Sequence, residues 1–129
     1  MSEEPFAILL AEDNKANQVI SKAMIEAVGA TVKIAENGLE VLALLSEERF
    51  DLVLMDCQMP DMDGFEATTE IRKLNDRTLA EVPIVALTAD AQGETREACL
   101  ATGMDDFLTK PFTMDQIKEL IAKWGTPAH

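Results

Sequence analysis

Five short apolar runs, at residues 6–11, 32–35, 52–55, 84–87 and 107–108, punctuate the chain at intervals too long for hairpins. None alternates apolar with polar residues. Each therefore reads as a strand covered on both faces, as in a parallel sheet flanked by helices. The intervals carry helical patterns. Val19, Ile20, Ala23, Met24 and Ala27 recur at helical spacing, which predicts the buried stripe of a first helix capped by Gly29. A second helix is predicted over 39–46 with Val41, Leu42 and Leu45 on one face, and a third over 65–74. The fourth, over 94–102, is weakly apolar; Ala98, Cys99 and Leu100 are its main residues for burial, and Gly103 closes it. The last opens at Thr113 with Gln116 three residues on, a capping-box pattern, followed by Ile117, Leu120, Ile121 and Trp124.

This (βα)5 alternation predicts a doubly wound α/β fold with right-handed crossovers and a five-stranded parallel sheet. Of the two common doubly wound orders, the flavodoxin-like 2-1-3-4-5 is expected, and it is also the order that the resemblance given below implies. Strands 1 and 3 then become neighbours at the switch point, and a ligand should bind beyond their carboxyl ends. At 129 residues the chain fits one domain, 1–129, with its core over about 6–124.

Charge narrows the partners. Eleven Lys and Arg against 24 Asp and Glu leave a net charge of −13, which argues against nucleic acid, whose phosphates need a basic face. A cation inside an acidic site is the more natural ligand. Two cysteines, Cys57 and Cys99, are too few for a disulfide framework and are expected to be reduced thiols in a cytoplasmic setting. The acidic start, Met1 to Pro5, lacks the basic region of a signal peptide. The longest apolar run, 6–11, is far short of the roughly 20 residues of a membrane helix, so no membrane insertion is expected.

The strand ends carry the chemistry. Run 1 ends in Glu12-Asp13, run 3 in Asp56, run 4 in Thr88 and run 5 in Thr109-Lys110-Pro111. Three carboxylates, a hydroxyl and an ammonium thus converge on one rim. Carboxylate oxygens suit Mg²⁺, which takes a few such ligands and keeps several waters. Against this stands a plainer role for single residues: Asp13 or Asn14 could simply cap the first helix.

In these residues the chain resembles the receiver domain of two-component signalling, the module that response regulators share. The resemblance rests on Leu9-Leu10-Ala11-Glu12-Asp13-Asn14, on Leu52-Val53-Leu54-Met55-Asp56-Cys57-Gln58-Met59-Pro60, on Met62-Asp63-Gly64, on Leu87-Thr88-Ala89 and on Phe107-Leu108-Thr109-Lys110-Pro111-Phe112. Asn14 to Asn17-Gln18 and Gly103-Met104-Asp105-Asp106-Phe107 resemble, more narrowly, the receivers of hybrid histidine kinases and phosphorelays.

The resemblance implies a phosphoacceptor rather than an enzyme acting on other molecules. Asp56 is the implied nucleophile, taking a phosphoryl group from a phosphohistidine. Glu12, Asp13, Asp56 and the backbone carbonyl of Gln58 are the implied ligands of Mg²⁺, with Mn²⁺ able to substitute. Lys110 and Thr88 are the implied partners of the phosphoryl oxygens, and Phe107 the aromatic that turns inward as Thr88 moves. A cis Lys110–Pro111 bond belongs to the same pattern. The implied partners are a histidine kinase or a histidine phosphotransfer protein and a downstream effector or parent kinase. The face of the fourth helix, fifth strand and fifth helix would carry the output. Asp90 stands where hybrid-type receivers often have Asn, and with Gln58 it flanks the position where water attacks the aspartyl phosphate.

Two other functions share features of this chain. An aspartate-nucleophile phosphatase needs a second Asp two residues after its nucleophile, where this chain has Gln58. A flavodoxin-like carrier needs Ser, Thr and Gly after strand 1, where this chain has Glu12-Asp13-Asn14-Lys15. Cys57 reads as structural, because the single histidine, His129, lies at the chain end. Phe107 and the methionines Met55, Met59, Met62 and Met104 also have a plain reading as packing residues.

Overall fold

In the computed structural model, β1 (Ala7–Ala11) pairs on one side with β2 (Thr31–Ala35) and on the other with β3 (Leu52–Asp56). β4 (Ile84–Thr88) and β5 (Asp106–Thr109) follow, so the parallel order is β2-β1-β3-β4-β5, as expected. The structure describes residues 6–57, 59, 61–88, 93–109 and 112–124. The central strands β3 and β4 are buried at every position, which is why they read as unbroken apolar runs. The edge strands depart from the expectation of cover on both faces: β2 alternates, exposing Thr31 and Lys33, and β5 is at most half-buried, because an edge strand has a neighbour on one side alone.

Among the described residues there are six helices, five between strands and the last after β5: α1 (Lys15–Ala27), α2 (Gly38–Glu47), α3 (Gly64–Arg72), α4 (Arg77–Ala80), α5 (Gly93–Thr102) and α6 (Met114–Trp124). The period-2 geometry of the strands divides their apolar side chains between two faces. Leu9, Val53, Met55 and Ile84 pack with Val41 and Leu45 of α2, Ala67 and Ile71 of α3, and Cys99 of α5. Ile8, Leu10, Leu54 and Leu87 pack with Ile25 of α1 and with Ile117 and Leu120 of α6. Each large aliphatic side chain buried in this way contributes about 1.5–3 kcal/mol.

Local signals end the helices. Gly29 (φ +92°) and Gly103 (φ +116°) take the left-handed conformation after α1 and α5. The capping box at α6 forms as read: Thr113 N–H donates to Gln116 Oε1 at 2.8 Å, and Gln116 N–H donates to Thr113 Oγ1 at 3.2 Å. A second capping box, Asp63 with Glu66, opens α3 and was not anticipated. The single turn α4 was not anticipated either, because four residues are too few to show a helical period.

Two expectations about helix faces fail. On α1 the inward residues are Gln18, Ser21 and Ile25, whereas Val19 and Ile20 are 69% and 57% exposed. Ala23 and Ala27 are exposed too, and Met24 is half-buried. The apolar stripe seen in sequence is therefore rotated away from the sheet, and Gln18 turns inward because it has a backbone partner there. On α5, Ala98 and Leu100 are exposed and Cys99 is buried, so the helix is held by less apolar surface than expected.

Candidate functional site

The register of the sheet assembles the site. Ala11 of β1 pairs with Met55 of β3, and one residue further on Glu12 and Asp56 reach the same edge. Asp56 pairs with Leu87, which puts Thr88 one step beyond, and Thr88 pairs with Thr109 on β5. Glu12 (2% exposed) and Asp56 (5% exposed) are buried beside the exposed Asp13. One carboxylate oxygen from each of the three lies within 4.8 Å of the others. Thr88 is buried at the neighbouring strand end, and Phe107, paired with Ala86, is half-buried against the α2/α3/α5 side of the core. Gln58 and Lys110, and with them Pro111 and Asp90, lie outside the described residues.

The turn after β1 is built to release Asp13 from structural duty. Asn14, not Asp13, is the N-cap of α1: its side chain accepts from Asn17 N–H at 3.0 Å. The Glu12 carboxylate accepts from Asn14 N–H at 3.3 Å, at the start of the same helix. Lys15 forms an ion pair with Glu36. The hydrogen bond from Lys15, helped by one from Gln18, holds the Glu36 carboxyl below the usual carboxylate range.

The far wall is set by close packing. A Cβ on Gly64 would stand 2.3 Å from the Asp56 carbonyl oxygen, so the α3 N-terminus can approach β3 this closely only with glycine there. Cys57, next to Asp56, has its thiol pushed up to about 12, chiefly by burial and then by Cys99, Asp56 and Asp63. A thiol so resistant to ionisation is no nucleophile, which agrees with its structural reading.

Three carboxylate oxygens this close match the span of ligands around one small divalent cation, whose oxygens sit about 2.0–2.1 Å from the metal. The donor set is hard and all-oxygen, so it fits Mg²⁺. Sequence reasoning found every one of these carboxylates. Gln18 and Asp63 carried the resemblance but no individual role, and Arg72 carried neither, because their partners are remote in sequence or are backbone atoms.

A doubly wound sheet with an acidic trio at its switch point defines a class of ligand-binding α/β domain, and comparison with known proteins gives the family. Residues 8–122 match the family model of the response regulator receiver domain. The chain is 42% identical to the sensor protein GacS of Pseudomonas syringae pv. syringae over 118 residues, 91% of this chain and 13% of that protein. It is 43% identical to hybrid signal transduction histidine kinase B of Dictyostelium discoideum over 132 residues, 95% of this chain and 7% of that one. Among solved structures, it matches the receiver domain of sensor histidine kinase PA1611 from Pseudomonas aeruginosa PAO1, with a magnesium ion coordinated in the active site cleft. That match has a TM-score of 0.85 and 39% identity, covering 94% of this chain and 98% of that one. The receiver domain of the response regulator Ssk1, co-crystallised with the Saccharomyces cerevisiae phosphotransfer protein Ypd1, matches with a TM-score of 0.86 and 32% identity, covering 94% and 89%.

The chain belongs to the response regulator receiver domains. It is a phosphoacceptor signalling module of the kind found in hybrid histidine kinases, and neither the phosphatase nor the flavodoxin reading is favoured. The chain spans only a small part, 13% and 7%, of the two curated relatives described. Among the described residues no helix is long and apolar enough to cross a membrane.

Proposed function

We propose that Asp56 is the phosphoacceptor of a single receiver domain within residues 1–129, and that it takes its phosphoryl group from a phosphohistidine of a histidine kinase or a histidine phosphotransfer protein. The observation that carries this reading is the buried Asp56 carboxylate, held within 4.8 Å of Glu12 and Asp13 oxygens at the switch point. An Asp56 carboxylate oxygen attacks phosphorus, the P–N bond to histidine breaks, and an aspartyl phosphate results. Water later attacks the same phosphorus, the P–O bond to Asp56 breaks, and inorganic phosphate leaves as the carboxylate is restored. The domain assists only these two reactions of its own side chain.

Glu12, Asp13 and Asp56 would hold Mg²⁺ or Mn²⁺, with the Gln58 carbonyl completing the protein ligands; the cation offsets the negative charge that phosphoryl and carboxylate oxygens bring together. Thr88 donates its hydroxyl to one phosphoryl oxygen, and Lys110 pairs with another as a point charge. The move of Thr88 leaves room for Phe107 to turn inward, which alters the α5–β5–α6 surface read by an effector or by the parent kinase. Phosphohistidine donors draw on ATP, so the domain works in the cytoplasm.

Incubation with acetyl phosphate and Mg²⁺ followed by intact-mass spectrometry tests the assignment. Wild type should gain one phosphoryl mass, and neither Asp56→Asn nor wild type in EDTA should. A phosphoryl mass on Asp56→Asn, mapped to another residue, overturns it.

A further inference from the structure

The Asn14-to-Gln18 stretch has no assigned part in phosphoryl transfer, yet Gln18 is a buried polar side chain, 7% exposed, on the inward face of α1. Its Nε2 donates to the Glu12 backbone carbonyl at 2.7 Å and to Glu36 Oε2 at 3.4 Å. From the other side, Glu12 N–H donates to the Ala35 carbonyl at 2.9 Å. The main chain of Glu12 is thus pinned at both its N–H and its C=O, and its side chain accepts from Asn14 N–H. Glu36, the second acceptor of Gln18, is itself tied to Lys15 and donates its N–H to Glu40 Oε1 at 2.8 Å.

We infer that Gln18 is a positioning residue of the metal site: by fixing the peptide that joins Glu12 to Asp13, it holds both carboxylates toward Asp56 before a cation arrives. This rests on the divalent-cation reading of the trio given above. Three carboxylates at this separation repel one another, and Asp13, unlike Glu12 and Asp56, is exposed. A turn that is already ordered spares the cation the cost of ordering it, which is how groups behind the ligands raise metal affinity. The plainer alternative is that Gln18 only satisfies a buried carbonyl and contributes to folding alone.

Magnesium titration calorimetry, paired with thermal melts in EDTA, separates the two. Gln18→Met keeps length and removes the donor. We expect its Mg²⁺ affinity to fall about tenfold, the low end of what loss of such supporting contacts costs. Phosphoryl uptake from acetyl phosphate should return when Mg²⁺ is raised in proportion. Glu36→Gln leaves the Gln18–Glu12 bond in place and should bind Mg²⁺ within about twofold of wild type. If Gln18→Met does not fold, Gln18→Ser, which leaves room for a water, should still lose several-fold in affinity. Affinity within twofold of wild type in the folded Gln18 variant, whatever its melting temperature, overturns the inference. So does an equal loss in Glu36→Gln, which would assign the effect to the local field. Wild type failing to bind Mg²⁺ at all would instead sink the underlying metal reading.

Discussion

The Cys57 and Cys99 sulfurs lie 3.8 Å apart, both buried, and join the segment leaving β3 directly after Asp56 to the middle of α5. Cys99 is the one buried side chain among those described on α5, and Cys57 stands one residue from Asp56, the proposed phosphoacceptor.

The same contact sets an expectation for thiol chemistry. Burial pushes Cys57 up to about 12 and raises Cys99 as well. The folded thiols keep their protons while unfolded ones ionise near 9, so the unfolded state binds fewer protons and stability falls as pH rises from about 9 toward 12. Below that window the contribution is fully present. Urea midpoints at pH 8 and pH 10 should differ more in wild type than in Cys57→Ala, and iodoacetamide should label the native protein at pH 8 only as fast as it unfolds.

Weak anchoring of α5 leads to the second expectation. Beryllofluoride with Mg²⁺, a phosphoryl mimic, should shift the backbone resonances of Phe107 and of α5, because a local change at Thr88 biases a helix held by little apolar surface. Thr88→Ala should keep the mimic and lose the distant shifts. Shifts confined to the turns around Asp13 and Asp56 would describe a phosphate store with no switch.

Metal binding should appear as stability. The unfolded chain lacks the trio, so free Mg²⁺ at 100 times its dissociation constant should add about 2.7 kcal/mol. Chemical denaturation with and without Mg²⁺ measures this, and Asp13→Asn should reduce the gain without lowering stability in EDTA, since Asn14 provides the α1 cap.

Arg72 fastens the chain directly after the C-terminus of α5. Its guanidinium donates to the Gly103 carbonyl at 2.9 Å, to the Ala80 and Val82 carbonyls at 2.8 Å, and to Asp105 Oδ2 at 2.9 Å. Asp105 Oδ2 also accepts from Ile84 N–H at 2.9 Å. Arg72→Ala should cost about 2–4 kcal/mol by urea denaturation, because several carbonyls lose a charged donor at once. Arg72→Lys should recover little, since an ammonium cannot fork to the same acceptors.

The sequence determined what local pattern and strand ends can carry. β3 and β4 were legible because a strand buried on both faces must be apolar throughout, and Asp56 and Thr88 were legible because a polar residue ends each run. Glu12 and Asp13 were legible for the same reason. Only the tertiary structure decided which face of α1 turns inward, since Gln18 is buried to meet the Glu12 carbonyl, while Val19 and Ile20 stand in solvent. It also decided that Asn14 caps α1 and leaves Asp13 for the site, that Cys99 reaches Cys57, and that Arg72 reaches Gly103 and Asp105. Helical periodicity records how apolar residues are spaced along one segment. Which polar side chain can be buried depends on whether a donor or acceptor waits at the end of it, and that partner is brought there only by the folding of the rest of the chain.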